Sequence, residues 1–157
     1  MRHYYLDRIV ELELGSRAVG LKAVALNDDA LHEHFPGNPV LPGIHVLEGM
    51  AQTAGVLLTR TLRYQYVALM VSVDRARFSS FARPGDVVRM TAEIETLDAA
   101  SARVRGTATV DDRLVATVRI TFRLIEPERL IAGEYREQWQ RMVSVWCGEY
   151  LEMEDDA

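Results

Sequence analysis

Three stretches in the second half of the chain alternate strictly between apolar and polar residues. Val88, Met90, Ala92 and Ile94 face one way, against Arg89, Thr91, Glu93 and Glu95. Val104, Gly106, Ala108 and Val110 oppose Arg103, Arg105, Thr107 and Thr109. Beyond a short connection at Asp111-Asp112-Arg113, Leu114, Ala116, Val118, Ile120, Phe122 and Leu124 oppose Val115, Thr117, Arg119, Thr121 and Arg123. A period of two with arginine and threonine outside predicts an antiparallel sheet with one wet face. Leu6 to Leu14 and Arg17 to Leu26 predict two further strands, joined by a tight turn at Gly15-Ser16. The apolar run Tyr66 to Val73, continued from Asp74 to Phe81, predicts a central strand, closed by a turn at Arg83-Pro84-Gly85-Asp86.

From Ile44 to about Leu62 the spacing becomes helical. Ile44, Leu47, Ala51, Ala54, Gly55, Leu58 and Leu62 share one face, while Val46, Met50 and Leu57 populate the other. A helix that is apolar nearly all round predicts a buried one. Its only carboxylate is Glu48, and its only firm cation is Arg60. A sheet with one apolar face and a single apolar helix to cover it predict an α+β fold, the sheet wrapped around the helix. A last helical segment runs from about Pro127 to Tyr150, with Leu130, Tyr135, Trp139, Met142 and Trp146 as its apolar residues. The expected organisation is one domain over residues 1–125 and a C-terminal helical extension over 126–157.

Composition narrows the class. The chain has 157 residues, enough for one ordinary core, and its 48% hydrophobic and 26% charged residues read as globular. A net charge of -5 argues against nucleic acid as a general partner. One cysteine, Cys147, excludes an intramolecular disulfide and a cysteine-based zinc cluster. The first residues carry no apolar signal segment, and no uncharged run is long enough to span a bilayer. The expected location is cytoplasmic.

The chemistry concentrates just before the helix, in His34-Phe-Pro-Gly-Asn-Pro-Val-Leu-Pro-Gly43. Three prolines and two glycines in ten residues make a stiff, irregular loop, and a stiff loop gives an imidazole a fixed position. A fixed imidazole of near-neutral pKa is a natural base for a C–H or hydroxyl proton. His3, His32 and His45 are ordinary alternatives, surface residues or satisfied core groups. Glu48 on a buried helix carries a desolvation cost unless it is paired or neutral. It reads either as a buried ion pair with a strand arginine or as a carboxylic acid poised to exchange a proton. Gln52, one turn on, can orient it. The helix start at Gly43 offers N–H groups for a developing oxyanion. Base, acid and oxyanion donor are what β-elimination next to a thioester requires.

His-Phe-Pro-Gly-Asn-Pro-Val-Leu-Pro-Gly followed by Glu48 and Gln52 closely resembles the active-site signature of the 3-hydroxyacyl-[acyl-carrier-protein] dehydratases of bacterial type II fatty acid synthesis. The likeness runs from about Tyr5 to Leu124, with support from Leu6-Asp7-Arg8-Ile9, Ala76-Arg77-Phe78, Pro84-Gly85-Asp86 and Gly106 to Val110. It implies the hotdog fold, a lyase, and no metal or cofactor. His34 would remove the C2 proton of a (3R)-3-hydroxyacyl thioester, and protonated Glu48 would assist departure of the 3-hydroxyl as water. The Gly43 N–H would hold the thioester carbonyl, the Val40 carbonyl would orient the imidazole, and Gln52 would position Glu48. The resemblance also implies a homodimer with shared active sites, His34 of one chain meeting Glu48 of the other, and further assembly to hexamers. The thioester partner is an acyl carrier protein or coenzyme A. Glutamate at position 48 resembles the dehydratase branch more than the branch that also isomerises the double bond.

Three departures bear on the substrate. Most of the family's N-terminal lead is missing before Tyr4. Ser79-Ser80-Phe81 replaces a basic, proline-containing run whose cations help dock the carrier, leaving Arg75, Arg77 and Arg83 as docking candidates against the plain alternative of solvated strand edges. His45 stands where an apolar residue is usual, either altering the acyl tunnel or Glu48's protonation, or simply hydrogen-bonded on the helix. The extension past the family core expects Trp139 and Trp146 to anchor on the sheet or a neighbouring subunit, with capping of the acyl tunnel as the other reading. These features suggest a specialised paralogue. Two functions compete with dehydration: a hotdog acyl thioesterase in which Glu48 activates water, and a non-catalytic acyl-binding paralogue.

Overall fold

The computed structural model describes residues 4–150; His3 and the end of the predicted extension, 151–157, lie outside the described residues. Six strands form one sheet: β1 (Arg8–Glu13), β2 (Arg17–Ala23), β3 (Val67–Phe78), β4 (Val87–Leu97), β5 (Ser101–Val110) and β6 (Arg113–Ile125). Their order is β1-β2-β4-β5-β6-β3, every neighbour antiparallel. A 19-residue helix, α1 (Gly43–Thr61), lies along the concave face, and a shorter one, α2 (Arg136–Trp146), follows the sheet in sequence. This is the hotdog arrangement. Among the described residues no helix is long and apolar enough to cross a membrane.

The predicted alternation sets the inner layer. Met90, Ala92, Val104, Ala108, Ile120 and Phe122 form one buried core with Met50, Ala54 and Leu58 of α1. Helix and sheet approach closely where side chains are small. A Cβ on Gly49 would stand 2.5 Å from both Met90 Sδ and the Tyr5 carbonyl oxygen, so the contact closes only with glycine there.

Four sequence expectations need correction. The buried face of α1 centres on Val46, Met50, Ala54 and Leu57, while Ile44, grouped with an inward face, is 69% exposed. The first helical turn stands at the mouth of a cavity, not over the sheet. The strand predicted as central, β3, is an edge strand that pairs only with β6. An apolar run signals burial, yet none of the described residues covers this edge, and Leu69, Met70, Val71 and Val73 are exposed. On β6, Leu114 points to solvent and Val115 is buried, the reverse of the alternating pattern. A bulge opposite Ala108/Thr109 inserts Val115 and flips the register, which strict alternation cannot anticipate. The last predicted helix is broken at its start into short 3₁₀ turns at Pro127–Arg129 and Gly133–Tyr135, leaving eleven residues in α2. Proline and glycine at those positions account for the interruption.

Candidate active site

The loop before α1 folds onto itself through its own backbone. Phe35 and Asn38 exchange N–H to carbonyl bonds of 3.1 and 2.9 Å, and the Val40 N–H donates to the His34 carbonyl at 2.8 Å. The His34–Phe35 peptide is cis, and the two rings stack with centroids 4.3 Å apart. In the return direction the Val40 carbonyl lies 3.0 Å from His34 Nδ1. A carbonyl can only accept, so Nδ1 is the donor in this pair. The Val40 carbonyl thus fixes the Nδ1 edge of the ring within the loop. Leu41 fastens the end of the loop by donating to the Ala82 carbonyl at 2.8 Å.

Helix α1 starts at Gly43 without a side-chain cap. A Cβ on Gly43 would meet the Phe78 ring at 2.8 Å, so the ring from the end of β3 lies flat against the helix start. One turn later Glu48 is half-buried and, among the described residues, in no ion pair. The strand arginines that might have neutralised it are occupied elsewhere: Arg105 pairs with Glu93 at 2.9 Å and Arg119 with Glu95 at 2.8 Å. Gln52 instead contacts the carboxylate. Its Oε1 accepts the Tyr5 N–H at 2.9 Å, which fixes the amide orientation, and its Nε2 donates to Glu48 Oε1 at 3.1 Å. Glu48 Oε2 is left for other work. Tyr5 was not singled out from sequence, since its bond to Gln52 uses only its backbone N–H. Its ring stacks on His45 at 4.2 Å and its hydroxyl lies 3.2 Å from His45 Nε2, so His45 is a hydrogen-bonded helix residue.

His34 and Glu48 line different cavities within one chain. His34 shares a space of about 460 Å³ with Pro42, Gly43, Phe78, Phe81 and Val115. Glu48 and Gln52 open into another of about 440 Å³, walled by Leu69, Met70, Trp139 and Trp146. The two spaces flank opposite ends of β3, Phe78 at one and Val67 to Met70 at the other.

Residues 3–119 match the FabA-like domain model. A 3-hydroxyacyl-[acyl-carrier-protein] dehydratase of Thermomicrobium roseum is 40% identical over 124 residues, covering 78% of this chain and 83% of that one. One from Solibacter usitatus is 40% identical over 125 residues, covering 78% and 76%. The chain belongs to the 3-hydroxyacyl-[acyl-carrier-protein] dehydratase family. Solved structures agree on the fold alone. A mutant of the fluoroacetyl-CoA-specific thioesterase FlK superposes with TM-score 0.65 at 16% identity over 82% of this chain and 98% of that one. The dehydratase heterocomplex of Xenorhabdus doucetiae superposes with TM-score 0.58 at 16% identity over 74% and 97%.

Within this family member the three arginines expected as docking candidates separate. Arg75 and Arg77 line an open groove of about 440 Å³ on the outer sheet face with Arg105, Arg119 and Ser79. Ser79 also lines the His34 cavity, so the two spaces adjoin at that residue. Arg83 does not line that groove; it braces the loop before α1 by donating to Asn38 Oδ1 at 2.6 Å. The Ser79-Ser80-Phe81 segment is held by Arg113, whose guanidinium donates to Ser80 Oγ and the Phe81 carbonyl. Nothing in the alternating pattern of β6 distinguished Arg113 from the other outward arginines.

Proposed function

We propose that this protein dehydrates a (3R)-3-hydroxyacyl thioester, carried by acyl carrier protein or coenzyme A, to the trans-2-enoyl thioester. His34 Nε2 takes the C2 proton, the C2–H electrons form the C2=C3 bond, and the C3–O bond breaks. Glu48 supplies a proton to the departing hydroxyl, which leaves as water. Because Gln52 occupies Glu48 Oε1, the transferable proton sits on Oε2. The Gly43 N–H, at the positive end of α1, stabilises the thioester oxygen as charge builds on it. After release, the proton on His34 returns through solvent to Glu48.

The observation that carries this reading is the placement of the two cavities at opposite ends of an exposed, apolar edge strand. The twelve residues of β3 include Val71 at 54% and Phe78 at 51% exposure, an edge that monomeric proteins avoid. Pairing β3 antiparallel with its own copy about a twofold axis sets the Phe78 end of one chain beside the Leu69–Met70 end of the other. The His34 cavity of each protomer then faces the Glu48 cavity of its partner. A homodimer with two shared sites completes a constellation that one chain leaves divided. In this reading residues 1–125 form the catalytic unit and 126–157 an extension of it.

The Arg75–Arg77 groove, which adjoins the His34 cavity at Ser79, suits the phosphate or acidic surface of the thioester carrier. A cytoplasmic location fits the substrate and the free Cys147. The test is hydration of crotonyl-CoA and of crotonyl-acyl carrier protein, followed as loss of enoyl absorbance. His34→Ala is expected to lower kcat/KM by about 10³-fold, within the usual range for a general base. Full activity in that variant, or release of free thiol in place of hydration, would sink the assignment and favour the thioesterase.

A further inference from the structure

Helix α2 lies beyond the part of the chain that matches the family model, and the chemistry above makes no use of it. It is nonetheless built into the Glu48 cavity. Trp139, Met142, Val143 and Trp146, spaced as one helical face, all line that space. The floor beneath them is one face of α1, running from Glu48 through Gln52 and Gly55 to Thr59. Twelve residues of α-helix make this floor about 16 Å long from Glu48 to Thr59. Its polar groups are gathered at the Glu48–Gln52 end, and the rest is mainly apolar.

The anchors of α2 place it across the far end of this floor. Trp139 packs edge-on against Tyr64 at 5.7 Å, just beyond the C-terminus of α1. Glu149, three residues past α2, pairs with Arg60 in the last turn of α1 at 2.6 Å. Trp146 packs edge-on against Tyr4 at 5.5 Å and is 9% exposed. Three contacts to three separate segments hold a wall, not a loose tail.

Gly55 supports the same conclusion from the floor. It sits mid-helix, where alanine would favour the helix, and its φ is ordinary. A Cβ there would meet no atom within 4 Å, so packing does not require glycine. The space a side chain would fill is the groove itself. A bare helix face at this point keeps the groove open between the carboxylate and the tryptophans.

We propose that α2 is the end wall of the acyl groove, with Trp139 setting the longest acyl chain the enzyme accepts. This rests on the dehydratase reading for its turnover arm only. The substrate class is thereby narrowed to thioesters whose acyl tail ends at or before Trp139, with longer tails excluded by the wall.

Two variants push the limit in opposite directions. Trp139→Ala removes the wall at a half-buried position, and Gly55→Leu fills the groove midway along its floor. The quantity read is the ratio of kcat/KM for trans-2-hexadecenoyl-CoA to that for crotonyl-CoA. Each methylene gaining or losing an apolar enclosure is worth about fourfold. Trp139→Ala should therefore raise the ratio by about tenfold or more, and Gly55→Leu should lower it by a similar factor. Calorimetric binding of palmitoyl-CoA against butyryl-CoA gives the same ratio without turnover, and circular dichroism confirms folding. Ratios within about twofold of the parent in Trp139→Ala, by both readouts, overturn the wall. Shifted binding ratios in a protein that hydrates no enoyl thioester keep the wall and overturn the dehydratase reading.

Discussion

The two cavities flanking β3 are built on different principles. The His34 side is made by consecutive residues, whose backbone groups satisfy one another within a single loop: His34 to Val40, Phe35 to Asn38, and Val40 to the imidazole. The Glu48 side is assembled from α1, the Tyr4-Tyr5 segment, the start of β3 and the distant α2. The imidazole is thus held mainly by bonds within its own loop, with Ala82 and Arg83 bracing it from outside, and the Glu48 carboxyl by a convergence of remote segments. One half of the candidate site is largely local in sequence. The other exists only once the chain has folded.

The sharpest way to break this comparison is to ask whether the halves meet across chains. His34→Ala and Glu48→Gln should each lower kcat/KM by about 10³-fold. Co-expressed, they should recover about a quarter of the parental activity, since about half of random dimers are mixed and each has one intact site of two. A co-expressed pair no more active than either variant alone would return both residues to one chain.

A smaller effect tests the remote tether. Gln52→Ala removes the donor to Glu48 Oε1 and the acceptor of the Tyr5 N–H. A fall of about tenfold in kcat is expected, with KM within about twofold, together with about 1 kcal/mol of stability for the lost bonds. Loss of stability with kcat intact would make Gln52 purely structural.

The smallest effect concerns the clasp on α2. The hydrogen bond from Arg60 holds the Glu149 carboxyl below its ordinary pKa, with Ser144 adding to it. A depressed carboxylate contributes stability that is present above its unfolded pKa and is lost as pH falls through the folded one. The pair is largely exposed, so Glu149→Gln should cost less than about 1 kcal/mol at neutral pH. Thermal melts of parent and variant should converge as the pH drops below the ordinary carboxylate range; a gap that persists there would assign the effect to packing.

The same contrast explains what could be read from residues alone. The hairpin turns, the inner faces of β4 and β5, the buried α1 and the loop motif all follow from short-range periodicity and from proline and glycine chemistry. His34, Val40, Gly43, Glu48 and Gln52 lie within nineteen consecutive residues, so one motif held the candidate site together. The edge position of β3 was not legible, because an apolar run looks the same whether its cover comes from the same chain or another copy. The inversion of Leu114 and Val115 depends on a single inserted residue opposite Ala108, which no alternating pattern reports. Tyr5 acts through its backbone N–H, a group every residue but proline possesses, so its identity carried no signal. The face formed by Trp139, Met142, Val143 and Trp146 has clear helical spacing, but what it covers depends on where α2 returns.

The Val40 carbonyl has a consequence for how this site tolerates change over generations. The group that holds Nδ1 of His34 belongs to the backbone, so a change of side chain at position 40 leaves it in place. What the geometry depends on is the frame around it, Pro36, Gly37, Pro39 and Pro42. A variant that keeps this scaffold can replace the buried Val40 side chain without losing the group that fixes the ring.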